Sequence, residues 1–166
     1  MSSVQTALSK LRILILEDNL AMRSILRSIL NGLGCHDIAA CGSMIEALEE
    51  ATRLMPDIIL CDYRLEDYDG VEFIHQLRAS PNDGLAMTPV IMVTSYTNRD
   101  AIIGYINAGA DEVLAKPVSA EALYARIAAV VNRRRPFVRT GAYFGPDRRR
   151  KDMPYAAEER RTAECA

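Results

Sequence analysis

Residues 57–65 read Asp57-Ile58-Ile59-Leu60-Cys61-Asp62-Tyr63-Arg64-Leu65, a short and almost wholly apolar run that stops at a carboxylate. A strand of residues 57–61 with no polar alternation suits burial on both faces, the habit of a parallel sheet covered by helices. Three further runs share this character: Arg12–Leu16 upstream, then residues 89–93 and Glu112–Ala115. Asp37–Cys41 is a weaker fifth candidate, with the poor alternation expected of an edge strand.

Helical spacing fills the intervals. Residues 20–33 place Met22, Ile25, Leu26, Ile29 and Leu30 on one stripe, with Gly32 and Gly34 as the stop. Residues 43–54 start at Ser43 as N-cap and end before Pro56, residues 71–79 end before Pro81, and residues 99–107 end at Gly109. The last helix follows Pro117, with Ser119 as N-cap and Leu123, Ile127, Val130 and Val131 on its buried face. Five strand–helix units in this order require right-handed crossovers, giving an α/β fold: a doubly wound five-stranded parallel sheet with helices on both faces.

Composition agrees with one ordinary domain. The chain has 166 residues, 49% of them apolar and 25% charged, enough to bury a core without disulfides or a structural metal. Residues 1–132 carry 10 basic and 17 acidic side chains, a balance of −7, whereas residues 133–166 carry 10 and 5, a balance of +5. An acidic body thus bears a basic tail. Cys35, Cys41, Cys61 and Cys165 lack the spacing of a zinc or redox site; three of them sit in or near apolar segments and suit small core residues of a reducing cytosol. The first ten residues hold no apolar signal core, and no apolar run nears the roughly 18 residues that span a bilayer. A cytoplasmic location without membrane insertion is expected.

Ligands of such sheets bind at the carboxyl ends of the strands. Glu17-Asp18 follow the first strand, Asp62 the third and Thr94-Ser95 the fourth, while the fifth runs into Lys116-Pro117. Three converging carboxylates repel one another, so one takes a proton or a cation binds. With oxygen ligands and no His or Cys at hand, Mg²⁺ is the natural ion. In such a setting Asp62 could attack phosphorus, with Lys116, the Thr94 hydroxyl and Mg²⁺ stabilising charge on the transferred oxygens.

This ordered set resembles the receiver domain of two-component response regulators, of the stand-alone, chemotaxis CheY-like type. The matching pieces are Glu17-Asp18-Asn19, Asp62 within residues 61–65, Asp69-Gly70, Val93-Thr94-Ser95, Gly109-Ala110-Asp111 and Lys116-Pro117. The resemblance spans Leu11 to about Arg133. It implies a flavodoxin-like fold of strand order 2-1-3-4-5 and a phosphoryl group accepted on Asp62 from a sensor histidine kinase or histidine phosphotransfer protein. It further implies Mg²⁺ held by Glu17, Asp18, Asp62 and the Arg64 carbonyl, Lys116 and Thr94 at the phosphoryl group, and a cis Lys116–Pro117 bond. On this reading the protein is a phosphoacceptor rather than an enzyme. Residues 1–10 form an arm, 11–135 the receiver and 136–166 a basic extension.

Three departures from the family pattern stand out. Val113 occupies a position that is often aromatic, so the usual threonine–aromatic coupling needs a substitute: Thr94 with backbone motion, or Tyr96 or Tyr105. Glu66 stands where proline is common, and the segment around residues 80–88 is slightly long. Other readings stand beside the functional ones. Glu17 and Asp18 could cap the first helix; Tyr63 and Arg64 are either exposed loop residues or a gate for water or a partner; His36 and His75 are read as surface residues.

The tail shows no periodicity, but Tyr143-Phe-Gly-Pro-Asp147-Arg148-Arg149 is echoed at Tyr155-Ala-Ala-Glu-Glu159-Arg160-Arg161. Solvation, docking on a partner or back on the acidic body, and nucleic-acid contact through its arginines and aromatic rings are the competing uses. With no conventional output domain after residue 133, output is expected through protein contacts on the last two helices and last strand, with Ile103, Tyr105, Ala122 and Arg126 as candidates. The downstream target and oligomeric state stay open. Two alternatives compete. A phosphatase with an aspartyl-phosphate intermediate would need an acid where Arg64 stands; a receiver scaffold would carry a tail that binds nucleic acid or a partner independently of phosphorylation.

Overall fold

The computed structural model describes residues 8–149. The echo at residues 155–161 and Cys165 lie outside them. In chain order the elements are β1 (Arg12–Leu16), α1 (Leu20–Gly32), β2 (Asp37–Cys41), α2 (Met44–Leu54), β3 (Ile58–Asp62), α3 (Gly70–Arg78), α4 (Asp83–Ala86), β4 (Val90–Thr94), α5 (Arg99–Ala108), β5 (Glu112–Ala115), α6 (Ala120–Asn132), β6 (Phe137–Thr140) and β7 (Tyr143–Pro146). The first five strands form one parallel sheet of order β2-β1-β3-β4-β5. This is the flavodoxin-like strand order.

Alternation along the buried strands divides the core in two. Leu14, Leu16, Ile59, Cys61, Val90 and Met92 face α2, α3 and α5. Ile13, Ile15, Ile58, Leu60, Ile91 and Val93 face α1 and α6, where Leu8 is also buried. All six described helices begin with a side-chain oxygen accepting from an early amide: Asn19 for α1, Ser43 for α2, Asp69 for α3, Asn82 for α4, Asn98 for α5 and Ser119 for α6. Gly109 then closes α5 at φ 110°, a left-handed conformation natural to glycine.

Several sequence expectations need correction. Ile25 and Val131 are half exposed rather than buried, because Leu26 and Val130, one helical step away, take the inward positions. The long segment before β4 contains the short helix α4, capped by Asn82. Past residue 133, where no regular element was expected, β6 and β7 pair as an antiparallel hairpin. Two four-residue strands are too brief to show periodicity and are marginal alone, so their order depends on packing against the five-stranded domain.

That packing centres on Arg78, the last residue of α3 and only 7% exposed. Its Nη1 donates to the carbonyls of Ala86 (2.8 Å) and Thr88 (2.7 Å), and its Nη2 to that of Gly109 (2.7 Å). The buried carboxylate of Asp111 lies 3.4 Å away and also accepts from the Val90 amide at 2.9 Å. Burial pushes the Arg78 pKa down to about 10 against the pull of Asp111, and the same burial raises the Asp111 carboxyl above its ordinary value. Phe137 of β6 covers the guanidinium, with its ring centroid 4.9 Å from Cζ.

Candidate functional site

Each strand of the sheet delivers its last residues to one rim. Asn19, not Glu17 or Asp18, caps α1, accepting from Met22 N at 2.9 Å. The two acids are thereby left for other work. Glu17 is 2% exposed, and its Oε2 receives Lys116 Nζ at 2.8 Å while its Oε1 accepts from Asn19 N at 3.2 Å. Lys116 Nζ also lies 3.1 Å from Oδ1 of Asp62, the final residue of β3. One ammonium therefore joins carboxylates from two strands, a pair of charge-assisted contacts in a recess.

Glu17, Asp18 and Asp62 each offer an oxygen, and these oxygens lie within 4.8 Å of one another. Burial raises the Glu17 pKa; the Lys116 hydrogen bond opposes this and the Asp62 charge reinforces it. For Lys116, burial works against the charge, but hydrogen bonds to Glu17 and Asp62 outweigh it and raise the pKa. An all-oxygen set of three carboxylates with no nitrogen or sulfur ligand fits a hard divalent cation.

The loop after Asp62 is held closed by Gly70 N donating to Tyr63 O at 2.7 Å and Leu65 N to Tyr68 O at 3.1 Å. These bonds use the carbonyls of Tyr63 and Tyr68, not that of Arg64. Gly70 is dictated by space: a Cβ there would run into the Asp62 carbonyl oxygen and lie 3.0 Å from Cys61 Sγ. Any larger residue would displace the backbone of Asp62 itself.

Thr94 ends β4 fully buried, its Oγ1 accepting from Tyr96 N at 2.9 Å. Its carbonyl accepts from Lys116 N at 2.8 Å, which ties β4 to the cis Lys116–Pro117 bond. Ser95 is exposed. Tyr105 approaches Thr94 from α5, with the two hydroxyls 3.4 Å apart and Tyr105 Oη donating to Tyr96 O at 3.1 Å. Burial raises the Tyr105 pKa. At 1% exposure Tyr105 is a core residue, which corrects its placement on the output surface; Ile103 of that surface is half exposed.

Tyr105 also joins an aromatic cluster with Tyr63 (centroids 5.2 Å apart), and Tyr63 meets Tyr96 edge-on at 5.7 Å. Arg64 lies over Tyr96, 5.3 Å from its centroid. Among the described residues neither histidine enters this region: His36 contacts Asn31, and His75 is exposed on α3. Sequence reasoning missed Arg78, whose only signal was a basic residue at the end of a helix otherwise buried on that side.

The family model of the response regulator receiver domain matches residues 13–128. The chain belongs to that family. This receiver is 33% identical over 126 residues to response regulator MprA of Mycobacterium leprae, covering 76% of this chain and 53% of that protein. It is 37% identical over 121 residues to the KDP operon transcriptional regulatory protein KdpE of Escherichia coli, covering 73% and 51%. The chain thus spans about half the length of the curated relatives it matches.

Among solved structures, a two-component response regulator from Clostridium difficile superposes with a TM-score of 0.67 at 25% identity, covering 75% of this chain and 98% of that one. The receiver domain of a sensor histidine kinase from Pseudomonas aeruginosa PAO1 gives 0.66 at 27% identity, covering 74% and 98%; that structure has a magnesium ion coordinated in its active site cleft. Receiver domains are the phosphoacceptors of two-component signalling, interact with histidine kinases and bind Mg²⁺ in their acidic site. In this receiver no helix among the described residues is long and apolar enough to cross a membrane.

Proposed function

We propose that Asp62 is the phosphoacceptor of this receiver, taking a phosphoryl group from a sensor histidine kinase or a histidine phosphotransfer protein. The observation that carries the reading is the Lys116 ammonium shared between Asp62 and Glu17, beside a buried threonine hydroxyl at the next strand end. An Asp62 oxygen forms a bond to phosphorus as the bond from phosphorus to the donor's imidazole nitrogen breaks; that nitrogen keeps the electron pair and leaves as neutral imidazole after proton equilibration.

Glu17, Asp18, Asp62 and the Arg64 carbonyl would hold Mg²⁺, which supplies charge neutralisation for phosphoryl oxygens when bound. Lys116 keeps its charge in this recess and pairs with a phosphoryl oxygen that replaces the carboxylate it now contacts. The Thr94 hydroxyl, one bond rotation from its present partner, donates to a second oxygen. Arg64 and the rings of Tyr96 and Tyr63 screen the approach of water and so govern how long the acyl phosphate survives.

Output then passes through phosphorylation-dependent protein contacts. Incubation with an autophosphorylated histidine kinase carrying radiolabelled phosphate tests the assignment: label moves to the wild-type chain and not to Asp62→Asn. Equal labelling of a folded Asp62→Asn protein would refute it.

A further inference from the structure

We propose that residues 137–149 act as a latch, a hairpin seated on the receiver's own α5–β5 corner and tied through α5 to Thr94, so that phosphorylation of Asp62 loosens it. The inference rests on the phosphoacceptor reading above. It concerns an element that lies beyond residues 13–128, where the family model ends.

The seat is specific and tight. Gly145 and Pro146 of β7 are buried. A Cβ on Gly145 would lie 3.0 Å from the Gly109 Cα and 2.6 Å from the Tyr143 hydroxyl, and a Cβ on Gly109 would lie 3.3 Å from the Phe144 carbonyl oxygen. The hairpin backbone therefore rests directly on the residue that ends α5. Arg148 donates to Asn107 Oδ1 at 2.7 Å and stacks over Tyr143, with its Cζ 4.6 Å from the ring centroid. Below the hairpin, Arg135 donates to the Asp111 carbonyl and to that of Asp147.

Asn107 and Tyr105 belong to the last turn of α5, and Gly109 is its C-cap. Gly109 follows Tyr105 by four residues and donates its amide to the Tyr105 and Ile106 carbonyls. The hydroxyl of Tyr105 bridges Thr94 Oγ1 and the Tyr96 carbonyl. A single turn of helix therefore has the phosphoryl-sensing threonine at one end and the hairpin seat at the other. When the Thr94 hydroxyl turns to a phosphoryl oxygen, Tyr105 loses that partner and the end of α5 is free to shift. Gly145 meets Gly109 backbone to backbone, so a shift of the Gly109 cap is passed directly to the hairpin, and a two-stranded hairpin has little stability apart from its seat.

The echo of the hairpin motif carries Ala157 where the first copy has Gly145, and Glu158 where it has Pro146. A methyl group at the glycine position would press on the Tyr143 hydroxyl and, at 3.0 Å, on the Gly109 Cα of the seat. The first copy is thus the one matched to the α5–β5 corner.

The experiment uses the full chain with Mg²⁺ and acetyl phosphate, reading Asp62 occupancy by intact mass and hairpin protection by amide hydrogen exchange on the same samples. Phosphorylated wild type should exchange its hairpin amides about tenfold faster than unmodified protein, the population shift expected of a ligand-driven two-state element. Tyr105→Phe should still gain the phosphoryl mass but show less than a twofold response. Arg148→Ala, an exposed site, should speed hairpin exchange about fivefold in the unmodified protein without changing the rate of mass gain. Full phosphorylation with unchanged hairpin protection would overturn the latch while leaving the phosphoacceptor reading intact, and a full response in Tyr105→Phe would overturn the route through α5. No mass gain in wild type with either acetyl phosphate or a phosphorylated histidine kinase would overturn the phosphoacceptor reading and the trigger of the latch together.

Discussion

Replacing Arg78 with leucine tests how this receiver is held together away from its rim. The guanidinium spans three backbone carbonyls, from Ala86, Thr88 and Gly109, and faces the buried Asp111 carboxylate. Leucine fills much of the volume but donates nothing. Each stranded carbonyl costs about 1–3 kcal/mol when wholly unpaired, and water reaching the corner recovers part of this. Breaking a buried charge pair by removing one partner costs about 3–5 kcal/mol, so that range is the expected loss. Against a typical total of about 5–15 kcal/mol this is a large fraction.

At about 2–4 °C per kcal/mol for a chain of this size, Tm should fall by about 10 °C. Lysine should rescue little, because one ammonium cannot fork across three acceptors. Adding Asp111→Asn to Arg78→Leu should restore about 1–2 kcal/mol by removing the uncompensated carboxylate. Urea unfolding of wild type, Arg78→Leu, Asp111→Asn and the double variant supplies the cycle. A loss below about 1 kcal/mol in Arg78→Leu would refute the reasoning that the buried guanidinium organises this corner.

Three other outcomes are expected. Gly70→Ala, whose Cβ would enter the Asp62 carbonyl, should cost about 1–3 kcal/mol in chemical denaturation and slow acceptance of phosphate by the displaced Asp62; unchanged stability and rate would contradict the steric argument. Burial raises the thiols of Cys35 and Cys61 and pushes that of Cys41 up to about 11, leaving Cys41 with a thiolate fraction of about 10⁻³ at pH 8. Iodoacetamide should therefore leave these three unlabelled in the folded protein and modify them after denaturation, as peptide mapping would show.

The third concerns acid. The Arg149 side chain holds the Asp147 carboxyl below its ordinary range, so the folded pKa lies under the unfolded one. This contribution to the hairpin is present above the unfolded value of about 3.9 and is lost as pH falls through the lower folded value. Hairpin amide shifts followed by NMR should move in that acid window for wild type and not for Asp147→Asn.

Much of this was legible in the sequence because a few strong constraints act locally. Runs such as Ile58–Asp62 and Val90–Thr94 must be buried strands, and the polar residues that end them must gather on one rim whatever the detail of packing. The same constraint brings Glu17, Asp18, Asp62, Thr94 and Lys116 together. Strand limits came out one residue early at Asp57 and Pro89, since a carboxylate or proline beside an apolar run carries no sign of which side pairs. In the sequence Tyr105 is both a substitute for the missing aromatic at Val113 and a candidate for the output surface. Only packing distinguishes these, because α5 presents Tyr105 inward to Thr94. Arg78 and the hairpin were opaque for a common reason: a buried arginine reads as a surface charge until its carbonyl partners are assembled, and the hairpin is stable only on that assembled corner.

The most direct test of the central claim is intact mass after incubation with Mg²⁺ and acetyl phosphate, for wild type and Asp62→Asn. The account predicts the gain of one phosphoryl group in wild type, dependent on Mg²⁺ and abolished by the substitution. A gain of the same mass in folded Asp62→Asn, or none in wild type with either acetyl phosphate or a phosphorylated histidine kinase, would contradict it.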